Sequence, residues 1–268
     1  IYIRLVGSEM CIRDSCGRSK VSARKLKMTD SRRVLLKVSG EWFSGAKEKG
    51  FDEKTFASLT ESLIEAKNQN IQIALVLGGG NIYRGRELVS LNIDQVSADY
   101  IGMLSTIMNG IALSNFLTSK NCDNSLFSSF AIGNFIKAYS KEDAEKSLLS
   151  NKIVILVGGL GNPLFTTDST ASVRAVELKS DVMLKATNVD GIYSDDPKKN
   201  KNAQKFDYIT FDEAIQKNLK VMDQTSLCFC RDNNLDVRVF NANSNGALLE
   251  ALINKKTDLG TLVKVKND

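Results

Sequence analysis

Apolar residues along this chain fall into short runs separated by polar, turn-forming clusters, and the runs are of two kinds. RVLLKV (Arg33 to Val38), IQIALVL (Ile71 to Leu77), KIVILV (Lys152 to Val157), Asp181 to Lys185 and Asp236 to Phe240 are short, near-continuous and rich in β-branched residues. Runs of that kind, without alternation, are expected of strands covered on both faces in a parallel sheet. The other segments carry helical spacing. Asp52 stands where it would N-cap a helix in which Phe56, Leu59, Leu63 and Ala66 recur every three or four positions. A long helix is predicted from Gln95 to about Leu117, with Ile101, Leu104, Met108 and Ile111 on one face, turned to the core, and a further helix starts near Asp168. Strand, helix and strand between Arg33 and Leu77 make a βαβ unit, and its continuation predicts a doubly wound α/β sheet with helices on both faces. With Pro163 and Pro197 the only prolines, no Pro-rich linker divides the pattern, so Met28 to Asp268 reads as one domain.

Composition agrees with a globular body: 268 residues, 43% hydrophobic and 25% charged. A net charge of +5 would ordinarily point toward nucleic acid or an anionic membrane. Its distribution removes that reading, because the whole excess lies before Met28, where Arg4, Arg13, Arg18, Lys20, Arg24, Lys25 and Lys27 face only Glu9 and Asp14. Residues 1–27 lack the apolar core of a secretory signal. LVGSEMCIRDS within them resembles translated sequencing-adapter DNA, so a non-native, poorly ordered leader with the natural start at Met28 is expected; a transit peptide is the alternative. The cysteines show no paired CxxC spacing, and reduced thiols in a cytoplasmic protein are expected. No continuous apolar stretch reaches the length of a membrane span.

The chain contains no histidine. Imidazole bases and imidazole metal ligands are excluded, and chemistry must rest on Lys, Arg, Asp, backbone N–H groups or a bound metal. Glycine clusters at the predicted strand ends, Ser39-Gly40, Gly78 to Asn81 and Gly158 to Asn162, are candidate anion-binding loops, since ligands of such sheets sit outside the carboxyl ends of strands. Lys37 precedes the first of these, and Arg84 follows the second within GGGNIYRG, which is neither a Walker loop nor GxGxxG. Each has a plainer reading: Lys37 as a solvated strand end, the glycines as a flexible turn, Asp168 as a simple N-cap, Tyr193 as an ordinary half-buried aromatic, Asp99 as a surface carboxylate.

Seven segments in order, LLKVSGE, GGGNIYRG, DYIGMLSTIMNGIAL, GNPLFTTDSTA, LKATNVDGIYSDDP, KVMDQTS and VRVFNAN, together resemble the bacterial uridylate kinases of the amino-acid-kinase fold. The resemblance spans about Arg33 to Leu262. It implies an αβα sandwich around a mainly parallel sheet and transfer of phosphate from MgATP to UMP in pyrimidine nucleotide biosynthesis. Homohexamers activated by GTP and inhibited by UTP are also implied. By position, Lys37, Val38, Ser39, Gly40, Gly80 and Arg84 would meet the ATP phosphates, and Thr187, Tyr193 and Asp196 the adenosine. Gly79, Asp99 and the run Leu160, Gly161, Asn162, Pro163, Leu164, Phe165, Thr166 and Thr167 would hold UMP. The catalytic groups would be Lys37, Lys185, Arg84 and Asp168, with no dedicated protein metal site. One departure stands in the acceptor loop: relatives usually read GTGNP where this chain has Leu160.

A phosphate acceptor is already ionised and needs no base, which suits a chain without histidine. Two alternatives stand beside this reading: a kinase of the same fold acting on a carboxylate or carbamate, and a non-catalytic nucleotide-sensing regulator. A dinucleotide oxidoreductase lacks its GxGxxG turn.

Overall fold

The computed structural model describes residues 31–47, 49–83, 87, 91–195, 199–200 and 202–265. The leader, Arg84 and Asp196 lie outside them. The strands are β1 (Arg33–Val38), β2 (Gln72–Leu77), β3 (Asn124–Ser128), β4 (Lys137–Ala138), β5 (Ile153–Val157), β6 (Val182–Thr187), β7 (Ile192–Tyr193), β8 (Lys205–Phe206), β9 (Tyr208–Thr210), β10 (Val237–Asn241) and β11 (Thr261–Lys264). The α-helices are α1 (Glu53–Asn68), α2 (Gln95–Ser119), α3 (Lys141–Leu149), α4 (Thr167–Glu177), α5 (Phe211–Gln216), α6 (Gln224–Asp232) and α7 (Ala247–Ile253).

Nine strands form one sheet in the order β4-β3-β5-β2-β1-β6-β10-β11-β9. Its pairs are parallel except β10 with β11, so β11 and β9 run against the other seven. Two cores flank the sheet. Val34, Leu36 and Val38 of β1 pack with Phe56, Leu59 and Leu63 of α1, Leu113 of α2 and Leu252 of α7 on one face. On the other, Leu35 and Met183 pack with Ala171 and Ala175 of α4, Leu148 of α3 and Leu227 of α6. The fold is therefore α/β, three layers around a mainly parallel sheet, with β1 at the centre where the chain turns from one half to the other.

The five strands legible as apolar runs are the central ones, within two residues of the predicted ends. Asp52 caps α1, its side chain accepting from the Thr55 N–H at 3.0 Å. One orientation is corrected. In α2, Leu104 and Met108 are each 51% exposed, whereas Met103, Ser105, Thr106, Ile107, Asn109 and Gly110 are buried. Between Met103 and Gly110 the helix turns Ser105, Thr106, Asn109 and Gly110 inward beside Met103 and Ile107, because it lies close against the Gly79 backbone and the Val157 side chain. A Cβ on Gly79 would stand 2.8 Å from the Gly102 carbonyl oxygen of α2, and one on Gly110 would stand 2.5 Å from Val157 Cγ1 of β5. A leucine at position 105, 106, 109 or 110 would overfill so narrow a gap, and Leu104 and Met108 are left outside.

Candidate active site

Strand register makes the centre of the site. β1 and β6 are parallel neighbours, and Lys37 stands opposite Lys185. Side chains alternate along a strand, so Lys37, two residues after Leu35, and Lys185, two after Met183, both turn to the face carrying α4. Each is only 8% exposed, which sets aside a solvated strand-end lysine. Two neighbouring ammonium groups repel, and Asp168, in the first turn of α4, stands between them. Lys37 Nζ lies 3.0 Å from its Oδ1 and Lys185 Nζ 2.6 Å from its Oδ2. Lys185 also donates to the Val221 carbonyl at 2.6 Å. Burial opposes the charged form of Asp168, but the two lysines outweigh it and hold the carboxyl below its ordinary range. Burial pulls Lys185 below its usual value against the opposing pull of Asp168.

Asp168 is not the helix cap. Thr166 caps α4, its hydroxyl accepting from the backbone N–H groups of Asp168 at 3.1 Å and Ser169 at 3.2 Å. That leaves the Asp168 carboxylate free for the lysines. Thr166 is itself held by Asp223, to whose Oδ2 it donates at 2.5 Å, while Asp223 caps α6 through the Ser226 N–H at 2.8 Å. Burial raises the Asp223 carboxyl, but hydrogen bonds from Thr166 and Ser226 overcome it, and the net shift is downward. One carboxylate thus joins the starts of two helices beneath the lysine pair. Its signal in the sequence is DQTS, an Asp three residues before a Ser at a helix start; its partner in α4 is 57 positions away and leaves no such trace.

The loops after β1 and β2 meet backbone to backbone. A Cβ on Gly40 would stand 2.2 Å from the Gly80 nitrogen, and one on Gly78 would stand 2.5 Å from the Gly40 nitrogen. Glycine is required at both by that approach. The N–H groups of Gly40 and Gly80 donate to no group among the described residues, and both glycines lie close to the end of the strand that carries Lys37. Behind them, Asn81 and Asn109 are fully buried and exchange side-chain amide hydrogen bonds of 3.0 and 2.7 Å. Asn109 further donates to the Gly78 carbonyl at 2.6 Å, and Asn81 to the Gly50 carbonyl at 3.0 Å. The sequence reading missed this pair, although both residues stand in segments that carried the resemblance. A polar residue beside glycine does not by itself reveal that its partner lies 28 positions away.

Asp99 lies near the start of α2 and reaches the segment after β5: its Oδ2 accepts from the Leu164 N–H at 2.7 Å, and its Oδ1 from Gln95 Nε2 at 2.8 Å. The structure therefore brings Asp99 onto the run Leu160 to Thr167. Leu164 has φ of 69°, in the left-handed region, and Leu164 and Phe165 are exposed. Gly158 at the base of this loop donates its N–H to Thr106 Oγ1 of α2 at 2.8 Å. On the other side of the sheet centre, the Thr187 hydroxyl donates to the Val189 carbonyl at 3.0 Å and Tyr193 to Asp190 at 2.8 Å. No hydrogen bond or ion pair among the described residues joins these two side chains to the lysine pair. Ser39 makes no side-chain cap to the short helix that follows it.

The amino acid kinase family model matches residues 32–241. The uridylate kinase of Alcanivorax borkumensis is 41% identical over 250 residues, covering 93% of this chain and 98% of that protein. The uridylate kinase of Pseudomonas aeruginosa is 41% identical over 233 residues, 87% of this chain and 94% of that protein. Among solved structures, UMP kinase from Bacillus anthracis is similar with a TM-score of 0.84 at 34% identity, covering 88% of this chain and 97% of that one. UMP kinase from Ureaplasma parvum has a TM-score of 0.82 at 36% identity, with coverage of 87% and 99%.

Proposed function

The chain belongs to the amino acid kinase family, and from that premise we infer that its site moves the γ-phosphoryl group of ATP onto UMP, giving UDP and ADP. The observation that carries this reading is the paired lysines held around one carboxylate at the end of two adjacent parallel strands.

The transferred group carries negative charge on its equatorial oxygens, and catalysis consists of neutralising it while donor and acceptor are held in line. Lys37 and Lys185 are assigned to that charge, Asp168 to keeping both ammonium groups in place. The N–H groups of Gly40 and Gly80, with Val38, Ser39 and Arg84, are assigned to the ATP phosphates, and Thr187, Tyr193 and Asp196 to the adenosine. Gly79, Asp99 and the Leu160–Thr167 run are assigned to UMP; the tether from Asp99 to Leu164 supports their belonging to one subsite. Asp168 is the residue that would hold the water shell of a magnesium ion carried in with ATP. Its Oδ1 is buried and accepts no aligned hydrogen bond, its contact with Lys37 being an ion pair. When bound, magnesium would supply positive charge to offset that of the donor phosphates.

A homo-oligomer, hexameric by family, is proposed too. Val96, Tyr100, Leu104 and Met108 form an exposed apolar stripe at every fourth position of α2, which supports self-association. GTP and UTP as effectors, a role in pyrimidine nucleotide biosynthesis, a cytoplasmic location and a single domain from Met28 onward complete the proposal. α2 has the length and composition of a membrane span, yet it packs on β3 and β5 as a core helix.

The test is a coupled ADP-release assay with UMP, CMP, AMP, acetylglutamate and carbamate as acceptors. Release driven by UMP well above the others is expected. Turnover driven by a carboxylate or by carbamate, or none with any acceptor, overturns the reading.

A further inference from the structure

We propose that Ser129 and Arg174 are positioning residues for the acceptor loop, fixing the Gly159–Leu160 peptide so that the Leu160 N–H is presented to UMP. The inference rests on the assignment of that loop to the acceptor.

Ser129 directly follows β3, outside every segment the sequence reading singled out. Its hydroxyl donates to the Gly159 carbonyl and accepts from Arg174 Nη2 at 3.3 Å. A serine hydroxyl has one proton, so an arginine donor on its lone pair commits that proton to Gly159. Arg174 is buried on α4 and is itself held by two further groups. Its guanidinium stacks 3.7 Å from the centre of the Tyr139 ring and donates to Glu177 at 2.7 Å, and Glu177 in turn accepts from the Tyr139 hydroxyl at 2.9 Å.

The consequence falls on the loop backbone. Gly158 and Gly159 have φ of 75° and 59°, a conformation in which no side chain restrains the peptide planes. With the Gly159 carbonyl held by Ser129, the trans geometry of that same peptide sends the Leu160 N–H the opposite way. That N–H donates to no group among the described residues. The leucine side chain carries no hydrogen-bonding group, which leaves the backbone N–H as the chain's own means of hydrogen bonding the acceptor at residue 160.

The test compares wild type, Ser129→Ala, Ser129→Thr and Arg174→Lys in two measurements. In steady-state kinetics with ATP and UMP varied separately, Ser129→Ala should raise the KM for UMP about five- to tenfold and leave the KM for ATP unchanged. Ser129→Thr, which keeps the hydroxyl, should restore most of it, and Arg174→Lys, which loses the planar fork, should show an intermediate rise. Amide hydrogen exchange without nucleotide should show faster exchange in residues 158–164 of Ser129→Ala, with α2 unaltered. An unchanged KM for UMP, or equal rises for both nucleotides, overturns the proposal. The exchange measurement needs no acceptor. If UMP fails to protect the loop in wild type while Ser129→Ala still loosens it, the assignment of the loop to UMP is what fails; if Ser129→Ala leaves exchange unchanged, the clamp fails.

Discussion

Asp168→Asn isolates the electrostatic core of the site, because it removes one charge and keeps nearly the same shape. Neighbouring strands stand about 4.8 Å apart, so two ammonium groups on paired residues repel by about 3 kcal/mol at an effective dielectric near 20. The carboxylate at 3.0 and 2.6 Å offsets that repulsion in the native protein. Without it, one charge has to leave. The lysines splay, or Lys185, already pulled below its usual value by burial, gives up its proton. Either course removes positive charge from the transferred group, and a loss of about a hundredfold or more in kcat is expected. The pH dependence separates this from a folding defect. A lysine is charged below its pKa, and Asp168 raises that of Lys185, so in Asp168→Asn the alkaline decline of kcat should begin at lower pH. The assay is kcat from about pH 6 to about pH 10 for both proteins, with thermal melting alongside. An alkaline limb at its native position, with kcat within about threefold of wild type, would refute the reasoning.

Lys37→Ala should lower kcat far more than it raises the KM for UMP, and unchanged turnover would remove Lys37 from the transferred phosphoryl group. Asp99→Asn should weaken UMP and spare ATP in paired titrations, since its carboxylate holds the Leu164 N–H of the loop proposed to take UMP; equal weakening of both would argue for a general defect. Asn109→Ala should cost about 2–3 kcal/mol in denaturant unfolding by leaving the buried Asn81 amide without its partner, and a cost below about 0.5 kcal/mol would sink that account. Leu160→Thr should tighten UMP by about 0.5 to 1.5 kcal/mol if a side-chain hydroxyl there reaches the nucleotide. Unchanged or weaker UMP binding by calorimetry would reject that bond.

The central strands were legible because burial on both faces leaves no polar alternation, and Lys37, Lys185 and Asp168 were legible as charges at strand and helix ends. Their convergence was not. It follows from a register, Lys37 against Lys185, that pairs residues 148 positions apart. β3 escaped notice because NSLFS mixes polar and apolar residues beside the sheet edge, and β4, β7 and β8 are two residues long. Hydrophobicity predicts the wrong inward residues in the middle of α2, because close approach to the Gly79 backbone and the Val157 side chain selects Ser105, Thr106, Asn109 and Gly110 instead. Asp223, Ser129 and the Asn81–Asn109 pair act through partners remote in sequence, and a single sequence carries no mark of such pairs.

α2 acts as a ruler between the loop after β2 and the loop after β5. Asn109 ties it to the triglycine loop after β2, Thr106 to the base of the loop after β5, and Asp99 to the middle of that same loop. Ten residues of helix separate the outer two anchors, about 15 Å at the ordinary helical rise. Each added residue also turns everything beyond it by about 100°. Inserting or deleting one residue between Asp99 and Asn109 would therefore break at least one tether at once, so this stretch should tolerate substitution on its outward side but no change in length.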